Sequence, residues 1–261
     1  MIATVAPALR ALVEDFIDYA GLFPPAGLPL EKAIANYEVY RQSEQEWMLR
    51  WFVLKAQDIE SVPEALHGRI SLLVTGDLDK NACNLAAAIE STATIKASRP
   101  VYCEVSPLKL EMLDEIKKVG NFAKIRCGGV TREAIPRIPE VRDFILGCAE
   151  RRLAFKATAG LHHPLRAEQK LTYQANAPRA VMHGFLNVLL ASAFAWHGHT
   201  DIDAILAQTD PEAFSFGERA EFGDVSLTEA EIRDARLNFI HSIGSCSFEE
   251  PVDELKGLGL L

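Results

Sequence analysis

Side chains able to perform acid–base or covalent chemistry are concentrated in one short segment, FKATAGLHHPLR (155–166). It contains Lys156, the adjacent His162 and His163, and Arg166. A lysine amine can attack a carbonyl carbon or accept a proton, imidazoles exchange protons near neutral pH, and a guanidinium binds carboxylate or phosphate oxygens. This segment is therefore the first candidate for an active site.

The elements that must position these side chains alternate between short apolar runs and amphipathic stretches, a pattern that predicts β-α units and a parallel sheet. Apolar residues spaced three and four apart predict the helices; one such pattern runs from Leu78 to Ile89, and another begins near Met182. Ser106 and Pro107 are predicted to start a further helix, as its N-cap and first residue. The predicted strands are 16–21, 50–56, 69–76, 100–106, 122–128 and 153–158.

The region after residue 180 gives weaker strand signals, and the last two strands are placed at 213–216 and around 242–248. Eight strands in about 250 residues are typical of a (β/α)8 barrel. We therefore predict one α/β domain over residues 1–261, a TIM-like (β/α)8 barrel that is irregular in its last two units. A doubly wound open sheet is the alternative, but the first strand-to-helix turn lacks a G-x-G-x-x-G sequence.

Alternate residues of a barrel strand face the interior, and catalytic groups gather where the strands end. In strands 100–106, 122–128 and 153–158, one face is apolar and suits the surrounding helices, so we expect the other face to point inward. Three cations and one anion on this inward face predict a small anionic substrate, a carboxylate or phosphate, with Arg126 as its binding group. The polar residues concerned are Glu104, Lys124, Arg126, Lys156 and Thr158.

Further candidates flank these strands. His162 and His163 lie in the loop after strand 153–158, where barrel active sites form. His183 and Asn187 are four residues apart on the apolar face of a helix, so they either bind substrate or form hydrogen bonds within the core. Asp18 and Tyr19 end the first strand, before a proline-containing loop that either closes over the barrel mouth or plugs its opposite end.

Composition excludes several classes of function. The formal net charge is −9, and no long basic stretch is available to bind nucleic acid. Neither a signal peptide nor a membrane-spanning segment is expected, which predicts a cytoplasmic protein without a membrane partner. The five cysteines show no C-x-x-C spacing, so disulfides and a zinc knuckle are not expected. No cofactor is predicted, and a homo-oligomer is left open.

Five segments together resemble a family of bacterial hypothetical proteins over nearly the whole chain, and that family implies no activity. They are DYAGLFPPAG, KIRCGG, FKATAGLHHPLR, HGFLNVLL and GSCSFEEPVDEL. Over six residues, FKATAG is also similar to the K-x-[ST]-x-G strand motif of class I aldolases of the deoxyribose-phosphate aldolase type. This resemblance implies that Lys156 forms a Schiff base and that Lys124 lowers its pKa.

The sequence therefore favours an enzyme: a lyase or isomerase that acts on a small anionic carbonyl compound through an active-site lysine. Lys156 is the expected nucleophile or general base, and Glu104 with His162 or His163 supplies the acid and base. Two alternatives remain. One is a metal-dependent hydrolase or lyase that holds a divalent metal with His162, His163 and Glu104. The other is a barrel that binds a small ligand without catalysis.

Overall fold

The computed structural model describes residues 5–106 and 109–261, in which the chain forms thirteen β-strands and nine α-helices. The strands are β1 (Ile17–Tyr19), β2 (Leu49–Lys55), β3 (Ile70–Val74), β4 (Ala88–Ser91), β5 (Val101–Glu104), β6 (Phe122–Arg126), β7 (Phe155–Thr158), β8 (Ala167–Lys170), β9 (Arg179–Met182), β10 (Phe214–Phe216), β11 (Arg219–Phe222), β12 (Val225–Thr228) and β13 (Ile240–Ser245). The helices are α1 (Pro7–Val13), α2 (Leu30–Tyr40), α3 (Lys80–Leu85), α4 (Met112–Val119), α5 (Ile138–Glu150), α6 (Phe185–Trp196), α7 (Asp203–Ala207), α8 (Glu229–Asn238) and α9 (Glu249–Gly257).

Eight of these strands close into a parallel barrel, with neighbours in the order β1, β13, β7, β6, β5, β4, β3 and β2. β1 closes the ring because it pairs in parallel with both β13 and β2. Helices surround the barrel, so the predicted (β/α)8 architecture is confirmed. The helix predicted near Met182 forms as α6, which is buried along its whole length because it packs against β13, α5, α7 and α8.

The barrel interior is unusually polar. Outward positions such as Ile89, Val101 and Ile125 are apolar and belong to the hydrophobic core beneath the helices. Inward positions on the same strands carry ionisable side chains that are also buried, among them Glu90 and Lys124. The layers of branched apolar side chains that usually fill such a barrel are therefore replaced in part by charged groups.

One barrel strand was assigned wrongly from the sequence. The segment 213–216 does form a strand, β10, but it belongs to a separate antiparallel sheet with β11 and β12. The missing barrel strand is β4, which overlaps the end of the helix predicted from Leu78 to Ile89. Helix α3 ends at Leu85, and β4 pairs with β3 and β5. All four residues of β4 are buried, so its pattern lacks the alternation that marks a half-exposed strand.

Two further findings concern the helices. The helix predicted to start at Ser106 and Pro107 falls partly outside the described residues, since Pro107 is not among them, and α4 begins at Met112. Within the described ranges, every helix is too short or too polar to cross a membrane.

Candidate active site

The side chains predicted to point inward on three neighbouring strands do meet inside the barrel. Glu104 of β5 is aligned with Lys124 of β6, which in turn is aligned with Lys156 of β7. Lys124 Nζ lies 2.9 Å from Glu104 Oε2 and 3.1 Å from Glu90 Oε2. Lys156 Nζ lies 2.7 Å from Glu90 Oε1 and 2.5 Å from Asp18 Oδ2. Glu90 therefore bridges the two lysines.

The carboxylates of this network also accept hydrogen bonds from neutral donors. Ser71 Oγ donates to Glu90 over 2.7 Å, and Ser242 Oγ donates to Asp18 over 2.6 Å. The backbone N–H of Trp51 donates to the second oxygen of Asp18 over 3.3 Å. Buried charges are tolerated when their hydrogen-bonding capacity is used in this way.

Charge balance differs from the sequence expectation of one anion against three cations. Asp18 and Glu90 add two carboxylates to that of Glu104, and both contact Lys156. The two lysines are therefore neutralised within the barrel. Arg126 is different, because its guanidinium has no ion-pair or hydrogen-bond partner within residues 5–106 and 109–261. Three carboxylates thus balance three cations in the barrel, and Arg126 is the exposed cation among them that has no partner in these described ranges.

Lys156 lies beneath the site and does not have the properties of an activated amine. Its side chain is completely buried. Burial alone would lower the pKa of Lys156, but the attraction of Asp18 and Glu90 outweighs burial and raises it. The expectation that Lys124 lowers this pKa is wrong, because the carboxylate of Glu90 lies between the two amines. Lys156 is held as an ammonium ion.

A cavity of about 420 Å³ opens where the barrel strands end. Its charged lining consists of Glu90, Glu104, Lys124 and Arg126, whereas Lys156 does not line it. Apolar residues cover the opposite wall, including Phe23, Pro24 and Pro25 from the loop after β1. This loop therefore contributes to the barrel mouth rather than to a plug at the opposite end.

His162 and Cys246 form a neutral pair on the wall of this cavity. His162 Nδ1 lies 3.8 Å from Cys246 Sγ, and both side chains are almost fully buried. Burial, reinforced by the neighbouring His163, lowers the pKa of His162 to about 4. Burial raises the pKa of the Cys246 thiol to about 11. At neutral pH, His162 is therefore an uncharged imidazole that can accept a proton.

The backbone before His162 adopts a conformation that depends on glycine. Gly160 has a φ of +72°, and a Cβ atom there would lie 3.0 Å from the Cα of Gly128. The loops after β6 and β7 therefore touch through their backbones. This contact, together with Thr158, which also lines the cavity, places His162 beside the end of β7.

Other predicted site residues are used elsewhere. His163 Nδ1 lies 2.6 Å from Glu254 Oε1 in α9, so its imidazole is engaged outside the cavity. His183 Nε2 donates to the carbonyl of Pro136 over 2.7 Å, while its Nδ1 accepts from Arg166. Neither imidazole lines the cavity, so the structure does not bring these two predicted site residues together with the others.

Asn187 and Tyr19 have structural positions as well. Asn187 accepts a hydrogen bond from the backbone of Arg166 and donates to the carbonyls of Ile205 and Gln208, which uses its whole amide. Tyr19 points outward from β1 and packs in an aromatic cluster; its neighbours there are Tyr37, Tyr40 and Phe52. Neither of these two predicted substrate-binding side chains lines the cavity.

The residues proposed for a metal site do not come together. His163 is held by Glu254, while Glu104 is paired with Lys124. Within the described ranges, no three His, Cys, Asp or Glu side chains are arranged to hold a metal ion. The His162, His163 and Glu104 triad is thus not formed.

Two residues of the site were missed by the sequence reasoning. Glu90 directly follows the helix predicted from Leu78 to Ile89 and was assigned to no strand, so its inward position on β4 was not recognised. Cys246 lies in the segment GSCSFEEP, directly after β13. Its position after a strand end, among small residues, was the signal that could have marked it as a site residue.

Comparison with known proteins adds no functional assignment. No family model matches the chain, and no curated protein matches it either.

Proposed function

We propose that this chain is a lyase or isomerase that acts on a small anionic carbonyl compound in the cavity at the carboxyl end of the barrel. The observation that carries the proposal is the joint lining of one cavity by Arg126, Lys124, Glu104 and His162. Arg126 provides an anion-binding group and Lys124 a hydrogen-bond donor, while Glu104 and His162 provide two proton acceptors. The active-site lysine in this proposal is Lys124, not Lys156.

Arg126 binds the anionic group of the substrate. Its guanidinium is the cation of the cavity that has no protein partner among the described residues. A carboxylate or phosphate can bind it through two parallel hydrogen bonds, which fixes orientation as well as position. Because no internal ion pair has to be broken, this binding has no competing carboxylate to displace.

Lys124 polarises the substrate carbonyl. Its ammonium is held by Glu90 and Glu104 at the wall of the cavity, so its position is set before substrate arrives. Negative charge develops on a carbonyl oxygen when a proton leaves the neighbouring carbon, and a preorganised cation stabilises that charge. Asp18 and Lys156 support this arrangement from below through Glu90.

His162 is the group that removes the proton. Its neutral imidazole is available because its pKa is lowered to about 4. The electron pair of the broken C–H bond forms an enolate, and the proton rests on His162. Return of that proton to a different atom of the enolate completes an isomerisation. In a lyase reaction the enolate re-forms the carbonyl and a carbon–carbon double bond, and the group on the β-carbon leaves with the electron pair of its bond and takes the proton from His162. Glu104, whose side chain is 27% exposed, is the second acid–base group in reach of the cavity.

The proposal is tested by exchange of substrate protons with solvent. The protein is incubated in deuterated buffer with a library of phosphorylated and carboxylated aldehydes and ketones, and deuterium incorporation next to the carbonyl is followed by NMR. At least one compound should exchange or be cleaved. His162→Gln should abolish exchange, and Arg126→Gln should raise KM by about 10- to 100-fold because a charged hydrogen-bonded contact is lost.

The pH profile and two controls make the test specific. In the wild type the acidic limb should lie near pH 4, because His162 is a base only above its lowered pKa. Arg137→Gln, a change of an exposed arginine outside the cavity, should leave the kinetics unchanged. Borohydride should trap no adduct on Lys156. A library without any turnover, or an Arg126→Gln variant with wild-type KM, would refute the proposed site.

A further inference from the structure

A second cavity, of about 530 Å³, lies at the opposite end of the barrel. Its residues come from the starts of strands: Arg50 and Trp51 begin β2, Tyr102 lies in β5, and His241 lies in β13. Arg236 of α8 completes one wall. The proposed active site lies where the same strands end, so the two cavities are distinct.

The guanidinium groups of this cavity are incompletely neutralised. Arg236 donates to the main-chain carbonyls of Glu14, Asp15 and Ile240, and has no carboxylate partner in the described part of the chain. Arg50 Nε lies 3.6 Å from Asp15 Oδ2, which is beyond a normal hydrogen bond. The Nε atoms of both arginines are buried and have no hydrogen-bond partner among residues 5–106 and 109–261.

Titration behaviour is consistent with an excess of positive charge. Burial, followed by the neighbouring Arg50, lowers the pKa of Arg236 to about 10. Burial, then Arg50 and Arg236, lower the pKa of His241 to about 3. Each of these groups is less easily protonated than usual because burial and the neighbouring guanidinium charge disfavour its charged form.

The cavity also has an aromatic wall. The guanidinium of Arg50 stacks on Trp51, with its central carbon 3.8 Å from the ring centroid. Tyr102 and Phe122 extend this wall, and the Tyr102 hydroxyl is 2.8 Å from His241 Nδ1. The volume of the cavity leaves room for a planar group beside the anion.

We propose that this cavity is a second binding site, which takes the phosphate group of a small metabolite between Arg50 and Arg236 and its planar portion against Trp51. An anion here supplies the negative charge that the carbonyl partners of Arg236 do not provide. Asp15 competes with it, because its carboxylate is the weak partner of Arg50. The site is independent of the reaction proposed at the other end of the barrel.

Asp15 provides the decisive variant. Its side chain is 64% exposed and its φ is +48°, a left-handed conformation that asparagine tolerates well. Asp15→Asn should therefore fold normally and should bind inorganic phosphate about fivefold more tightly, because a competing negative charge is removed. The matched control is Asp77→Asn, because Asp77 is an exposed carboxylate that follows β3 at the other end of the barrel. This variant should leave the affinity for phosphate unchanged.

Binding is measured by isothermal titration calorimetry at constant ionic strength, with inorganic phosphate and then phenyl phosphate as probes. The wild type should bind phosphate with a dissociation constant near or below about 1 mM and phenyl phosphate more tightly. Arg50→Gln should weaken both by at least about tenfold. Arg126→Gln should retain this binding, which separates it from any anion bound in the proposed active site.

Independent confirmation comes from the NMR titration of His241, whose pKa should rise when phosphate is bound. The proposal is overturned if neither probe binds to the wild type or to Asp15→Asn. It is equally overturned if Asp15→Asn fails to increase the affinity, or if Arg126→Gln abolishes the binding.

Discussion

Replacing Lys156 by methionine tests the central physical claim about the barrel interior, that the buried ammonium holds two carboxylates in place. Methionine has a similar length and volume, so it leaves little empty space. The change removes the contacts of Lys156 Nζ with Asp18 at 2.5 Å and with Glu90 at 2.7 Å. The remaining donors are Ser242 and the backbone N–H of Trp51 for Asp18, and Ser71 and Lys124 for Glu90.

The expected cost follows from those two contacts. Each is a hydrogen bond between charged groups, worth about 1.5–3 kcal/mol. Removal of one partner from a buried ion pair typically costs about 3–5 kcal/mol, since the other charge is left without compensation. We expect the free energy of unfolding to fall by about 4 kcal/mol. A domain with a stability of about 5–15 kcal/mol can remain folded after such a loss.

Urea denaturation followed by circular dichroism measures this change, with a midpoint expected to fall by about 1–2 M. Lys118→Met removes an exposed lysine of α4 and should alter the stability by less than about 0.5 kcal/mol. The double variant Asp18→Asn with Lys156→Met lowers the excess negative charge, so it should recover about 2 kcal/mol relative to Lys156→Met alone.

Two results would refute the reasoning. A Lys156→Met protein within about 1 kcal/mol of wild type would mean that the buried ammonium is not needed to hold Asp18 and Glu90. A double variant less stable than Lys156→Met would mean that the destabilisation does not arise from uncompensated charge.

Two further predictions concern acid stability and the loop before His162. Burial would raise the pKa of Glu90, but the charges of Lys156 and Lys124 outweigh burial and lower it below the ordinary value of 4.5. The ionised Glu90 therefore stabilises the folded state above pH 4.5, and this contribution is lost as the pH falls below 4.5. The free energy of unfolding of the wild type, measured by urea titration, should therefore fall between about pH 5 and pH 3, and that of Glu90→Gln should fall less steeply. An equally steep fall in both proteins would contradict a lowered pKa for Glu90. Gly160→Ala should lower the stability by at least about 1 kcal/mol more than Gly68→Ala, because both have positive φ but only the Cβ at Gly160 meets backbone, 3.0 Å away. Equal losses in thermal unfolding would show that the contact with Gly128 is not tight.

Much of the architecture can be derived from local patterns in this chain. The alternation in 100–106, 122–128 and 153–158 predicts both strands and the inward position of Glu104, Lys124 and Lys156, because side chains on a strand repeat every two residues. Helices α5 and α6 likewise follow from the spacing of their apolar residues. These features depend only on neighbours in the sequence.

Features that depend on distant segments were less accessible. The isolated segment 88–91 carries too short a pattern to distinguish a buried strand from a helix, and β4 is defined by its pairing with β3 and β5. The position of Glu90 between the two lysines was hidden for that reason. His163, His183 and Asn187 illustrate the reverse case, because their partners lie at residues that the sequence does not mark.

The amino-acid sequence by itself determined the barrel class and which residues of three strands face its interior, since both follow from short-range periodicity. Only the tertiary structure decided which of those charges are neutralised. Asp18 lies 138 residues from Lys156 and Glu90 lies 66 residues from it, yet closure of the barrel brings both carboxylates to one amine. The electrostatic state of a buried group depends on every charge around it in space, and that neighbourhood exists only after the chain has folded.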